Sequence, residues 1–153
     1  MNMSSQTLLN IETIILDSSA GDRQAVIKEL AERLQSAGYL NDEAAFLASV
    51  EAREQHASTG IGFGVAIPHG KSAGVSKPGL AFARLSQPID WGSLDGKPVT
   101  SIILLAIPES DAGKEHLRIL ASVSRKLIHE SFRQELLDGQ NAADILKTLE
   151  SAL

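Results

Sequence analysis

The feature that most constrains the fold is the strand-like segment Val99 to Ile107, which contains the uninterrupted apolar run Ile102 to Ile107. A strand this apolar has no polar face to present to water, so both of its faces have to be covered. A sheet that contains such a strand at its centre needs helices packed on each side. The segment therefore predicts a three-layer α/β/α sandwich with a central mixed sheet. The same run is far too short to cross a bilayer, so we expect no insertion into the membrane.

Hydrophobic periodicity and turn residues supply the remaining elements. Apolar residues at helical spacing predict five helices: 21–37 after capping groups at 17–19, Asn41 to about Gln55, a helix after Gly113 that ends near His129, 132–137 and 142–149. Three further strands are expected: 12–16, 65–67, and 80–85 ended by Gln87-Pro88. The helix that ends near His129 is expected to bury one apolar face: Leu117, Leu120, Ala121, Ser124, Leu127 and Ile128. The first ten residues read as a loose start, and residues 1–153 are expected to form a single domain.

Composition excludes several classes of function. The net charge is −5, which argues against a nucleic-acid partner because neutralising phosphates requires a basic face. Aromatic residues make up 4%, too few for a platform on which bases stack. The chain has no cysteine, which removes disulfides and thiolate sites and agrees with a cytoplasmic location. The first residues also lack the basic and apolar regions of a signal peptide.

The segment from Ile61 to Gly70 concentrates glycine around one histidine, His69, which follows Pro68. Glycine costs conformational entropy and is used where the backbone bends unusually or is approached closely. A nucleophilic imidazole has to be neutral, open at one nitrogen and held by a hydrogen bond at the other. A Pro-His-Gly step can meet these conditions, although the residues alone fit an ordinary loop histidine equally well.

The other histidines carry less information. His56 follows a helix in a polar stretch, and His129 is expected in a last helical turn, where a cation is favoured. His116 lies near the start of a helix, where an anion is favoured, or it simply bonds to the helix backbone. No third ligand stands at metal-binding spacing, so we expect no metal site. A metal-dependent hydrolase that uses His69 and His116 is the weakest of the interpretations.

A longer pattern surrounds His69. It consists of Glu54, six spacer positions, Ile61-Gly62, two free positions, and then apolar-Ala-apolar-Pro-His-small through Gly70. This pattern closely resembles the active-site signature of the fructose/mannitol-type IIA components (EIIA type 2) of the bacterial sugar phosphotransferase system. The likeness continues through 90–98 and 115–117 to the terminal helices, and the family's α/β sandwich agrees with the predicted fold.

The resemblance implies that His69 accepts a phosphoryl group from phosphorylated HPr and passes it to a IIB component, without a cofactor, for uptake of a fructose- or mannitol-like sugar. His116 and Arg53 are the expected catalytic partners, since Arg53 lies one turn beyond Val50 on the same side of its helix. Four further residues are candidates for stabilising the phosphoryl group: Ser58, Thr59, Gly70 and Ser72.

A phosphocarrier has to dock two proteins in turn, so exposed apolar residues are expected around its histidine. Ile61, Phe63 and Val65 are the candidates for this docking rim. Phe63 departs from the polar residue that relatives often have, and it either meets a partner or packs beneath the loop. The alternative function is that of a nitrogen-type regulatory IIA protein, which controls its partners through its phosphorylation state.

Overall fold

A six-stranded mixed sheet lies between two layers of helices in the structure, a computed structural model that describes residues 8–110 and 115–153. The strands are β1 (Ile14–Ser18), β2 (Gly60–Gly62), β3 (Val65–Ala66), β4 (His69–Ser72), β5 (Gly79–Ile89) and β6 (Val99–Pro108). The helices are α1 (Arg23–Ser36), α2 (Glu43–His56), α3 (Glu115–Leu127), α4 (Glu130–Asp138) and α5 (Ala142–Glu150), with a 3-10 turn at Ile11–Thr13. The predicted three-layer α/β/α sandwich with a mixed sheet is confirmed.

The apolar strand β6 is the centre of the sheet. It pairs antiparallel with β5 and parallel with β3 and β4, in the order β1-β5-β6-β3-β2. Because side chains alternate along a strand, Ile102, Leu104 and Ala106 pack into one core with α1 and α2. The intervening side chains of β6 pack into a second core with α3, α4 and α5. Both faces of β6 are therefore buried, as its composition requires.

β3 and β4 both pair in parallel with β6, and together they are two parts of one strand that is interrupted at Pro68. Val65 pairs with Ser101 and His69 pairs with Leu105, so the register is unchanged across the gap. Proline has no N–H to donate, but its carbonyl still accepts from the Leu105 N–H at 3.0 Å. His69 is therefore the first residue of a strand. The expected strand at 65–67 corresponds to β3, which β4 continues along β6.

Several expected boundaries are wrong for local reasons. α1 is capped by Asp22, whose carboxylate accepts from the Ala25 N–H at 2.8 Å, and not by residues 17–19. α2 is capped in the same way by Asp42 and not by Asn41. β5 continues through Pro88, because a register shift after Arg84 lets the strand pair again at Ile89.

The chain ends and loops need two further corrections. Leu8 and Leu9 are buried in the core beneath α3 to α5, so the expected loose start is wrong for these two residues. Residues 1–7 lie outside the described residues, as do 111–113 of the expected loop after Pro108. No helix in the ranges 8–110 and 115–153 is long and apolar enough to cross a membrane.

The buried face of α3 differs from the expected one. Ile119, Val123 and Leu127 enter the core, whereas Leu117 is 60% exposed and Ile128 is 66% exposed. Ala121 and Ser124 are exposed as well, and only Leu120 and Leu127 of the expected set pack inward. The helix carries two apolar rows, and helical spacing alone does not say which of them meets the sheet.

Candidate active site

His69 lies where the sheet, α2 and α3 meet. As the partner of Leu105 in a parallel ladder, it shares the sheet face that is covered by α3 to α5. Gly70, the next residue, faces α2 on the other side. A Cβ atom on Gly70 would come within 2.8 Å of Val50 Cγ2 and 3.1 Å of the Val50 nitrogen. The glycine thus lets α2 pack directly on the backbone of β4, which fixes the distance from that helix to His69.

The His69 ring is held by its own backbone. Its Nδ1 lies 3.1 Å from the Ile67 carbonyl oxygen. A carbonyl only accepts hydrogen bonds, so Nδ1 carries the proton and the lone pair of the neutral ring is on Nε2. The geometry therefore leaves Nε2 as the ring nitrogen with a lone pair available in the neutral form.

The surroundings keep the imidazole neutral. Burial lowers the pKa of His69 below its usual value, and the nearby charges of Arg53 and His116 lower it further. The hydrogen bond to Ile67 and the Glu54 carboxylate oppose this shift without cancelling it. A neutral ring with Nε2 unprotonated is the form that can attack an electrophile at neutral pH.

Arg53 and His116 reach His69 from two different helices. Arg53, near the end of α2, donates from Nη1 to the Ala57 carbonyl at 2.8 Å, which leaves other guanidinium N–H groups for an anion. His116 lies half-buried in the first turn of α3. Both act electrostatically on His69, so the structure brings the three expected catalytic residues to one place.

A buried polar network supports this place, and the sequence analysis did not foresee it. Glu54 is 6% exposed, and its carboxylate accepts from both the backbone N–H and the hydroxyl of Thr59. The Thr59 oxygen in turn accepts from Trp91 Nε1 at 3.2 Å. Ser58 donates to the Trp91 carbonyl at 2.7 Å and accepts from the Gly60 N–H. The network fixes the loop between α2 and β2 to the segment around Trp91.

This network changes the interpretation of two predicted phosphate ligands. The hydroxyl protons of Ser58 and Thr59 are both used within the protein. We infer that these residues position the loop and do not contact the phosphoryl group directly. Ser72 is buried, accepts from the Gly74 N–H and lies on the strand face opposite His69. Of the four predicted phosphate-stabilising residues, only Gly70 adjoins the imidazole along the chain.

The expected docking rim divides into three different environments. Val65 is 2% exposed, so its place on the rim is wrong. Ile61 is half-buried against the core of α3 to α5. Phe63 is 56% exposed and does not pack beneath the loop. Its backbone is left-handed at φ 61°, between Gly62 and Gly64, and its ring lies 4.3 Å from the guanidinium of Arg133.

The remaining two histidines, His56 and His129, are not among the charged groups that act on His69. His56 is exposed at the end of α2, and His129 follows α3 instead of lying in its last turn. Within residues 8–110 and 115–153, no group of three or more His, Cys, Asp or Glu side chains could hold a metal ion.

A neutral imidazole on which an arginine and a second histidine act electrostatically is suited to nucleophilic chemistry on an anionic group. A family model described as "Phosphoenolpyruvate-dependent sugar phosphotransferase system, EIIA 2" matches residues 7–152. The chain belongs to this family.

Individual relatives agree with the assignment. The fructose-specific EIIA component of Haloferax volcanii is 36% identical over 143 residues, which cover 94% of this chain and 92% of that protein. The fructose-like EIIA component of Escherichia coli K12 is 38% identical over 131 residues, 86% of this chain and 88% of that protein. Among solved structures, the nitrogen regulatory protein IIA-Ntr of Neisseria meningitidis is 34% identical with a TM-score of 0.86, over 94% of this chain and 97% of that one.

Proposed function

We propose that His69 accepts a phosphoryl group on Nε2 from the phosphohistidine of an HPr-type carrier and passes it to a IIB component of a sugar permease. The observation that carries the proposal is the Nδ1 hydrogen bond to Ile67, which leaves Nε2 free of its proton in a ring kept neutral by burial. The proposal places the reaction in the cytoplasm, with a phosphohistidine as the intermediate.

Each transfer is a displacement at phosphorus. The Nε2 lone pair attacks the phosphorus atom of the donor, the Nε2–P bond forms, and the donor's N–P bond breaks with its electron pair returning to the donor ring. The His69 ring then gains positive charge, which its Nδ1–H shares with the Ile67 carbonyl. Arg53 and His116 face the negative charge on the phosphoryl oxygens. In the second transfer the Nε2–P bond breaks and a nucleophile of the IIB component takes the group.

The names of the relatives support the partners and the substrate class. Those from Haloferax volcanii and Escherichia coli are named fructose-specific and fructose-like EIIA components. A fructose-specific EIIABC component of Bacillus subtilis is 38% identical over 139 residues, and this chain spans 22% of that protein. The name of that protein joins A, B and C components, so we propose a IIB component as the acceptor and fructose-type uptake as the process.

Phosphorylation with purified components tests the proposal. Incubation with the general phosphotransferase enzyme, HPr and labelled phosphoenolpyruvate should add one acid-labile phosphoryl group, and His69→Ala should abolish it. Nitrogen-15 spectra of the labelled histidine should place the group on Nε2. Undiminished labelling of His69→Ala overturns the proposal, and a group on Nδ1 overturns the argument from the Ile67 hydrogen bond.

The supporting residues are tested in the same assay. His116→Ala and Arg53→Ala should each slow the transfer while His69 remains the modified residue. His56→Ala, at an exposed histidine of the same helix as Arg53, is the matched control and should transfer at the wild-type rate. Wild-type kinetics in both test variants would remove His116 and Arg53 from the mechanism.

A second candidate function, control of regulatory partners through phosphorylation state, is favoured by the similarity to the Neisseria IIA-Ntr protein. The same phosphorylated chain distinguishes the two functions. Transfer to a sugar-specific IIB component supports the transport role, whereas a chain that charges from HPr but transfers to no such component supports the regulatory role.

A further inference from the structure

Two adjacent side chains fold forward over the end of α2 and hold the loop that follows it. Arg53 donates from Nη1 to the Ala57 carbonyl at 2.8 Å. Glu54, the next residue, accepts from the backbone N–H of Thr59 at 3.3 Å and from the Thr59 hydroxyl. Glu54 and Thr59 are buried, whereas Ala57 is exposed. The position of the Ala57 carbonyl, and with it that of the Arg53 guanidinium, therefore depends on how the buried end of this short loop is held.

The same Thr59 is also connected to the ring of His69. Its carbonyl oxygen accepts from the Ile67 N–H at 3.0 Å, and the Ile67 carbonyl accepts from His69 Nδ1. Ile67 therefore uses both of its backbone groups in a line of hydrogen bonds that runs from Thr59 to the imidazole. Because Glu54 holds Thr59 at its N–H and at its hydroxyl, one buried carboxylate is connected to both Arg53 and His69.

The network requires a carboxylate at position 54. The Thr59 hydroxyl oxygen accepts from Trp91 Nε1, and its own proton is donated to Glu54. Both oxygens of Glu54 thus serve as acceptors, one for the hydroxyl and one for the backbone N–H. An amide offers a single acceptor oxygen, and its NH₂ group would leave the hydroxyl proton without a partner. Glu54→Gln therefore keeps the shape of the side chain but loosens its hold on Thr59 and removes the negative charge.

The charge of Glu54 acts on His69 in the opposite direction to the other two charged groups. Burial is the largest cause of the lowered pKa of His69, and the charges of Arg53 on α2 and His116 on α3 lower it further. The hydrogen bond to Ile67 raises the pKa of His69, and so does the Glu54 carboxylate. Among the described residues these are the charged groups that act on the ring. Removal of Glu54 and removal of Arg53 should therefore shift the pKa of His69 in opposite directions, which a simple loosening of the fold would not do.

We propose that Glu54 is a positioning residue of the phosphoryl-transfer site and that, through Thr59, it sets the His69 ring and the Arg53 guanidinium relative to each other. This inference rests on the proposed function, because it concerns the rate of the same transfer. As the Nε2–P bond forms and the donor's N–P bond breaks, Arg53 has to face the phosphoryl oxygens. Glu54 itself is buried and does not contact the donor protein. Its removal should therefore lower the maximal rate of transfer and leave the binding of the donor unchanged.

Transfer from phosphorylated HPr to Glu54→Gln at pH 8, where the His69 ring is neutral, tests the positioning role. The maximal rate should fall by about tenfold or more, since small displacements of reacting groups are costly. The concentration of phosphorylated HPr that gives half of the maximal rate should stay at the wild-type value. Thr59→Val should lower the maximal rate in the same way, whereas Thr59→Ser, which keeps the hydroxyl, should transfer at the wild-type rate.

A double variant shows whether Glu54 acts through Arg53. In Arg53→Ala/Glu54→Gln the rate should fall by less than the product of the two single losses, because the guanidinium that Glu54 positions is absent. A nuclear magnetic resonance titration of His69 gives a second measurement, in which no donor protein takes part. Relative to the wild type, the pKa of His69 should be lower in Glu54→Gln and higher in Arg53→Ala.

Glu51→Gln is the matched control. Glu51 is a half-buried carboxylate of the same helix, and it pairs with Arg23 at 3.2 Å. This variant should keep both the wild-type rate of transfer and the wild-type pKa of His69. Melting temperatures of all variants identify any loss caused by unfolding.

The outcomes separate the two levels of the argument. If the wild type accepts no phosphoryl group from phosphorylated HPr, the proposed function fails. If the wild type accepts the group and Glu54→Gln matches the Glu51→Gln control, the positioning role alone is wrong. Losses that multiply in the double variant, or a pKa of His69 that does not move in Glu54→Gln, also overturn it. If Glu54→Gln does not fold, Thr59→Val and Thr59→Ser decide the question, and equal rates in these two variants refute the positioning role.

Discussion

The hydroxyl of Thr59 makes two hydrogen bonds at the centre of the buried network, and its removal offers a sharp test of that network. Thr59→Val keeps the shape of the side chain but leaves a Glu54 oxygen and the Trp91 indole N–H without their partner. A hydrogen bond to a charged group contributes about 1.5–3 kcal/mol, and a buried donor left unpaired costs about 1–3 kcal/mol. We expect the free energy of unfolding to fall by about 3 kcal/mol.

Urea denaturation measures this change directly. With a slope of about 2 kcal/mol per molar urea, the midpoint should fall by about 1.5 M. Trp91 is the chain's single tryptophan and adjoins the change, so its fluorescence reports the local event and far-ultraviolet circular dichroism reports the whole fold. Coincidence of the two curves is required before free energies are compared.

A matched variant and a double variant complete the test. Thr100→Val removes the hydroxyl of a half-buried threonine on β6 that lies outside the network, so its effect should stay within about 0.5 kcal/mol. The double variant Glu54→Leu/Thr59→Val has no unpaired carboxylate. Its loss in the free energy of unfolding should therefore be smaller, by about 1–2 kcal/mol, than the sum of the losses in the two single variants. A loss below 1 kcal/mol in Thr59→Val, or an equal loss in Thr100→Val, would refute the reasoning.

Three other predictions concern the site and its support. Gly70→Ala should destabilise the protein by about 1–3 kcal/mol and slow phosphoryl transfer, because a Cβ pushes α2 away from β4; wild-type melting and kinetics would contradict this. The folded state lowers the pKa of His69, so the unfolded chain binds a proton more readily than the folded one. The free energy of unfolding of the wild type, measured relative to His69→Gln, should therefore keep its full value above about pH 6.5 and fall as the pH drops toward the folded pKa. Urea unfolding at pH 7.5 and pH 5 checks the sign, and a constant difference would refute it. Arg84→Met should cost about 1–3 kcal/mol in thermal unfolding, since Arg84 donates to three carbonyls at the end of α4, and an unchanged melting temperature would show those bonds to be dispensable.

The sequence predicted the layers of this fold better than its short strands. The unbroken apolar run of β6 and the helical spacing within α1 and α2 are strong local signals, and the structure agrees with them. β2 and β4 were missed because Gly60, Gly62, Pro68 and Gly70 read as turns. β4 pairs with β6, which lies more than thirty residues away along the chain, and β2 pairs with β3, a strand of only two residues. The face of α3 was misjudged because both of its apolar rows have helical spacing, and only the position of the sheet selects Ile119 and Val123.

The candidate site was predictable as a set of residues that lie together but not as a geometry. Its signature pattern singled out His69, and Arg53 and His116 could be placed near helix ends. The network around Glu54 was not foreseeable, since Thr59 links Glu54 to Trp91, 37 positions further along the chain, and no local pattern joins the two. Val65 was expected on the docking rim because a phosphocarrier needs exposed apolar residues around its histidine, whereas its side chain is buried in the core beside β6.

The hydrogen bond from His69 to Ile67 has an evolutionary consequence. Many histidines depend on a separate acidic side chain to fix their tautomer, and one substitution elsewhere can remove it. Here the acceptor is a main-chain carbonyl two residues earlier, and Pro68 restricts the conformation of Ile67 that presents it. Replacement of the Ile67 side chain leaves the acceptor in place. The tautomer is therefore robust to mutation around it, and the surrounding surface is free to diverge while Nε2 stays the unprotonated nitrogen of the neutral ring.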